Sequence, residues 1–348
     1  MSLAQLPTEL WILICVESGL EFEDQLNLSL VCWRFRHICA PSVFYSVVFP
    51  CTRKGLEGLQ ELAPSQFRQH VQRLTYYMPP LYTPHAETSG AGERHDDDDG
   101  ADAALLADVQ ELIHQRSEEN QYIAKSGIDL TALSLALRSL PCLGDLIFTF
   151  REFIVGERDR VSRKLDSFRA RKETFHYHIP ILAQAMSQAR AAGRHFSSVR
   201  LVGVMLPWFP EPQELGNDEP FRVVLRDSVK QLFGGVGSVR LSLSGAIINL
   251  CKRTPLGLSE IQILNLGVEY ETFRSFIKYN ISTLRRIEFY NVELRNHPED
   301  DERWMRPSFF SQILQSLHPT SLSPPYTWRG GSREGLNWIF TRSDYEHE

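Results

Sequence analysis

The chain lacks most of what would tie it to a secreted, membrane-bound or catalytic role. Its six cysteines, Cys15, Cys32, Cys39, Cys51, Cys142 and Cys251, form no CxxC pair and are too few and too scattered over 348 residues for a disulfide framework. Reduced thiols in the cytosol or nucleus are the expectation. Neither sign of charge is in excess: a net charge of -6 gives no global pull toward nucleic acid or an anionic membrane. No apolar run is long enough to span a bilayer, and the opening MSLAQLPTEL has no basic n-region. The protein is therefore expected to stay in the cytoplasm or to enter the nucleus with a partner. Catalytic motifs are missing as well: GxSxG, HExxH and the kinase signatures do not occur. Gly234-Gly235-Val236-Gly237 lacks the spacing of a phosphate cradle and predicts a turn. His176-x-His178 has no third ligand at useful spacing and is expected to be exposed. The aspartates Asp96 to Asp99 are adjacent, so they cannot all face one ion, and a solvated loop is expected. No enzymatic activity, metal or cofactor is expected.

What is present is a folded composition, 43% hydrophobic and 23% charged. Beyond residue 50, short alternating apolar runs predict strands at 71–77, 144–150, 197–204, 238–243, 261–266 and 284–290. Helical periodicity precedes several of them, at 130–140, 181–192 and 270–279. The last three strands start about 23 residues apart, within the range of leucine-rich repeats. The clearest unit is 258–294, LSEIQILNLGVEYETFRSFIKYNISTLRRIEFYNVEL. Leu264, Leu266, Leu284, Ile287 and Phe289 fit strand faces, with Phe273, Phe276 and Ile277 on the helix behind them. Such units cannot close a core alone and stack into an array. The fold expected is α/β, an irregular leucine-rich-repeat-like array over 51–318; a compact α/β domain with merely repetitive alternation is the other reading. Proline, glycine and aspartate at 79–102 predict a disordered acidic insertion. The mixed, basic-tilted run 157–173 predicts a surface helix, or else a patch facing an acidic or phosphorylated ligand. Residues 319–348 are turn-rich, but Trp328, Trp338, Ile339 and Phe340 predict a partly ordered cap on the last repeat.

Residues 6–49, LPTELWILICVESGLEFEDQLNLSLVCWRFRHICAPSVFYSVVF, pack three helical segments into little sequence. Pro7 suits a first helical turn. Leu6, Leu10, Leu13 and Ile14 recur at helical spacing, and Gly19 is the expected stop. Leu26, Leu28, Leu30 and Val31 follow an acidic start at Glu21, Glu23 and Asp24, which suits the helix dipole. Phe35 and Ile38 belong to a third segment ending near Pro41, and Tyr45 to Phe49 predicts a strand. Apolar residues fall on more than one side of each helix. A unit of this size is marginal alone, so another protein is expected to cover part of it.

LPTEL, then DQLNLSLVCWRFR, then PSVFYSVVF, resembles an F-box, in the version seen in many fungal F-box proteins. The likeness covers residues 1–50. It departs from the commonest pattern at Trp33, where a basic residue is more usual, and at Glu17-Ser18-Gly19, which replaces an apolar helix end. The resemblance implies docking on a Skp-family adaptor held by a cullin–RING scaffold. By carry-over, Leu6, Pro7, Leu10, Ile14, Leu26, Leu28, Val31, Cys32 and Phe35 form the adaptor face or its immediate support. The implied function is that of a non-catalytic substrate receptor in a Skp–cullin–F-box ubiquitin ligase, holding an unknown protein substrate and no nucleic acid or membrane. The alternatives left open are an adaptor-bound protein acting outside a ligase, and a repeat scaffold with no ubiquitin role.

Overall fold

Seven parallel strands stand in space in the order in which they occur along the chain. In the computed structural model the described residues are 6–17, 20–79, 81, 99–150, 172–204, 219–242, 245–295, 312–313, 326–329 and 337–342. The strands are β1 (Ser46–Pro50), β2 (Arg73–Tyr77), β3 (Asp145–Thr149), β4 (Ser198–Val202), β5 (Ser238–Ser242), β6 (Glu260–Glu269) and β7 (Arg286–Arg295). Two more, β8 (Tyr326–Arg329) and β9 (Asn337–Arg342), join antiparallel beyond β7, giving the order β1-β2-β3-β4-β5-β6-β7-β9-β8. The helices among the described residues are α1 (Thr8–Ile12), α2 (Phe22–Val31), α3 (Trp33–Val43), α4 (Arg53–Leu62), α5 (Asp99–Ser126), α6 (Ile128–Ser139), α7 (Lys172–Ala191), α8 (Glu219–Phe233), α9 (Gly245–Leu250) and α10 (Tyr270–Asn280).

The parallel strands start in register at Ser46, Arg73, Asp145, Ser198, Ser238, Glu260 and Arg286. Period-two alternation then sorts each strand into two faces. One face carries Leu74, Leu146, Val199, Val239, Ile261 and Ile287, then Tyr76, Phe148, Leu201, Leu241, Ile263 and Phe289, all buried. Against it lie α4, α6, α7, α8, α9 and α10, each packed beside the next. Their inward residues, such as Leu56, Leu133, Leu182, Leu225 and Phe273, share one continuous core with the strands. The other face holds Thr75, Ile147, Arg200, Arg240 and Gln262 in one half-buried row. The strand order has no reversal and these six helices follow one another along one face, so the fold is α/β with a parallel sheet.

The predicted strands are all present, each beginning within two residues of its expected start. Four details differ. β1 belongs to the sheet, so the N-terminal helices end at Val43, short of residue 50. In β6 the buried pair is Ile261 and Ile263, whereas Leu264 is only half-buried. The parity changes at Asn265, whose φ of 50° is left-handed, a region that asparagine tolerates. Asn291 does the same in β7 (φ 55°) and donates to Asn265 Oδ1 at 3.0 Å. Third, α5 begins at Asp99, inside the stretch expected to be disordered to residue 102; Pro80 and residues 82–98 lie outside the described residues, as do 157–171 of the basic run, Gly19, and most of the tail. Fourth, β9 pairs Phe340 with Ile287 and Trp338 with Phe289, so the tail extends the sheet at its last parallel strand.

Asn280 shows how one unit is tied to the next. Its buried amide accepts from Leu256 N–H at 2.7 Å and donates to the Thr254 and Phe276 carbonyls at 3.2 and 2.9 Å. Two of these groups, the Leu256 amide and the Thr254 carbonyl, lie outside any strand or helix ladder. Replacing it, Asn280→Leu, leaves the buried Leu256 amide without its partner. The expected loss of stability is about 1–3 kcal/mol in a urea unfolding curve.

Candidate docking surface and polar sheet face

Residues 6–43 fold around a core too small for their apolar content. α1 passes at Leu13 into a π turn, Leu13–Glu17, and α2 and α3 pack as neighbours. The fully packed core is Cys15, Ile38, Cys39 and Val43, with Trp11, Leu28, Phe35 and Phe44 around it. Trp11 meets Phe35 edge to face at 4.7 Å. Arg34 ties the start of the chain to α3, donating to the Leu6 carbonyl at 2.6 Å and to Thr8 Oγ1 at 3.3 Å. Burial pushes the Cys39 thiol up to about 11, so it behaves as a small apolar group.

Around this core the apolar residues face outward. Leu10, Ile12, Leu13, Ile14, Phe22, Leu26, Leu30, Val31 and Trp33 are exposed, nine of the fifteen exposed large apolar side chains among the described residues. Val31 and Trp33 reach 69% and 71%. Exposed apolar side chains in such number on a small unit are a feature of interaction surfaces. Acidic residues Glu9, Glu21, Glu23 and Asp24 are exposed on the same short stretch and give it a charged rim.

The residues named from the sequence divide into two groups here. Pro7, Leu10, Ile14, Leu26, Val31 and Cys32 are exposed and belong to the surface. Leu28 and Phe35 are half-buried and pack on the small core, so they support the surface from beneath. Leu6 is half-buried and holds Arg34 through its carbonyl. Ile12, Leu13, Phe22, Leu30 and Trp33 were not among the site residues. Their signal was the spread of apolar positions over more than one helix side, which alone does not say which side the small core takes.

The surface is anchored to the array through Phe44. It packs against both cores and stacks on Phe67, with ring centroids 4.4 Å apart and planes within 2°. The next residue, Tyr45, accepts from the Gln72 and Arg73 amides at 3.0 Å each.

The second surface is the polar sheet face. Arg73, Asp145, Ser198, Arg200, Arg240 and Gln262 line a depression of about 220 Å³. Arg73 reaches Asp145 at 3.5 Å, and Arg240 donates to Gln262. Arg200 and Arg240 are register partners on β4 and β5, and the Arg200 Nε is buried with no hydrogen-bond partner. Burial, then the positive charge of Arg240 and Arg73, holds the Arg200 guanidinium below its usual range. Such a cluster favours an anion. It was missed in the sequence, although Ser-Val-Arg-Leu recurs at 198–201 and 238–241 and places arginine in one row.

His176 is exposed as expected, but His178 is not: it is 2% exposed, beside Cys51 and Asp129. These are the one group of three potential metal ligands among the described residues. No helix among the described residues is long and apolar enough to cross a membrane. No family model matches the chain, and no curated protein matches it.

The division into surface and support has a measurable consequence. Serine at Leu13 and Leu30 leaves the melting curve within about 0.5 kcal/mol of the parent. Ile38→Ala, which empties the small core, costs about 2–5 kcal/mol by the same measurement.

Proposed function

We propose that this chain is a substrate receptor of a Skp–cullin–F-box ubiquitin ligase. The observation that carries the reading is the exposed apolar surface on α1–α3, at the segment whose residues resemble an F-box. The helices present Leu10, Ile14, Leu26 and Val31 outward around a minimal core. An adaptor of the Skp family would bury these anchors as helices are buried in a groove, with the acidic rim at its edge. The strand–helix array, leucine-rich-repeat-like in its sequential order, would then hold the substrate.

The polar face is the side of the array left for a ligand, because the opposite side is filled by helices. Arg73, Arg200 and Arg240 suit an acidic or phosphorylated segment of a protein. In this role the chain needs no catalytic group of its own. It acts by holding the substrate near the charged ubiquitin thioester, which raises its effective concentration there.

The test is co-expression with a Skp-family adaptor. Leu10→Ala with Leu26→Ala removes two exposed anchors without touching a core. The expected loss is about 2 kcal/mol or more, roughly thirtyfold in affinity. Undiminished co-purification of the double variant would sink the adaptor reading. Recovery of neddylated cullin with the wild-type chain separates a ligase from an adaptor-only complex. On the substrate side, Arg200→Glu with Arg240→Glu is expected to deplete substrates from a proximity-labelling set while leaving adaptor and cullin in place.

A further inference from the structure

The array buries a second constellation that the docking function does not use. Cys51 follows β1, Asp129 lies in the first turn of α6, and His178 lies in α7. Their residues are 1%, 1% and 2% exposed. One ligand atom from each, a sulfur, a carboxylate oxygen and a ring nitrogen, lies within 4.8 Å of the other two.

Groups that would orient these three side chains are already in place. The Pro79 carbonyl accepts a hydrogen bond from the His178 ring, and Nε2 is buried with no partner. Nε2 is the ring nitrogen left open to a ligand, with the Pro79 carbonyl beside the ring to orient it, as partners of metal-binding histidines do. Asp129 is oriented from both sides: Oδ1 accepts from the Leu130 amide at 2.8 Å and Oδ2 from the Tyr177 hydroxyl at 2.7 Å. The Tyr76 hydroxyl faces the Cys51 thiol but is buried outside hydrogen-bond geometry.

The charges point the same way. Among the described residues, the titratable groups acting on Cys51, Asp129, Tyr76 and Tyr177 are one another and Glu119, none of them a cation. A carboxylate in the core without a cation is costly. One divalent cation held by a thiolate, a carboxylate and a neutral imidazole has no net charge, which suits a dry site. On binding, the Cys51 thiol proton leaves to solvent as the sulfur–metal bond forms.

We propose that Cys51, Asp129 and His178 bind a zinc-class divalent cation, with the Tyr76 hydroxyl toward the fourth position. Sulfur, nitrogen and oxygen donors together select this class over magnesium or calcium. Tetrahedral zinc places its donors about 3.3–3.6 Å apart, within the 4.8 Å that bounds the separations here. The site is enclosed in the core, so its role is structural: it joins the loop after β1 to α6 and α7, segments far apart in the chain.

The experiment uses the full chain, purified without chelator and then exchanged with Zn²⁺ or Co²⁺. Elemental analysis is expected to give about one zinc per chain. The cobalt form is expected to show a thiolate-to-metal charge-transfer band that Cys51→Ser abolishes. Asp129→Asn and His178→Gln are expected to weaken zinc binding by more than the roughly 10–100-fold typical of second-shell changes. Because variants of core residues can unfold, the wild-type chain supplies the decisive arm: a strong chelator is expected to lower its melting temperature, and added zinc to restore it. A wild-type chain that is folded by circular dichroism, carries no zinc and takes up neither cation overturns the proposal. So does zinc retained undiminished in a folded Cys51→Ser, His178→Gln double variant.

Discussion

One-sided burial of a parallel sheet is the constraint on which the structure rests. Each strand contributes two inward apolar residues, such as Leu146 and Phe148 or Val239 and Leu241, and neither is covered by its own unit alone. Covering them takes a layer of helices, and each helix in that layer leans on the one before it. The strands therefore stay in chain order, because moving one would strip a neighbour of its cover. Parallel sheets are commonly covered on both faces. Here, among the described residues, the helices cover one face, and the other carries a more polar row of Thr75, Arg200, Arg240 and Gln262 with Ile147 among them.

The sheet has two ends to be closed, and the two are handled differently. At the C-terminal end the antiparallel pair β9 and β8 continues the sheet beyond β7. At the other end, α1–α3 lead directly into β1, and Phe44 belongs to both cores. This coupling joins α1–α3 to the core beneath the first strands of the sheet. In the proposed receptor role, rigidity at this join would matter more than any reactive group.

The buried cluster of Cys51, Asp129 and His178 sits among the first units, near the end that carries α1–α3. Glu119 of α5 accepts from the Arg53 amide at 2.7 Å at the start of α4, immediately beyond Cys51 and Thr52. Thr52 caps the same helix by accepting from Gly55 at 3.1 Å. The polar contacts of the first units thus converge on one place, where the chain turns from β1 into the helix layer.

Local pattern alone placed the seven parallel strands, the helix face of Phe273, Phe276 and Ile277, and the helical character of residues 6–43. These depend on the period of apolar residues, which the sequence carries directly. The Leu264 face was misplaced because a single left-handed residue, Asn265, changes the parity of a strand without any change in composition. Which apolar residues of α1–α3 stay outside was decided only by tertiary structure, since a helix with more than one apolar side does not say which side the core takes. The arginine row needed register: Arg200 and Arg240 are forty positions apart and become neighbours only because β4 and β5 pair in phase. His178 looked like half of an exposed pair for the same reason. Its partners, Cys51 and Asp129, come from other units of the array, and contact between units is set by stacking, which no spacing along the chain records.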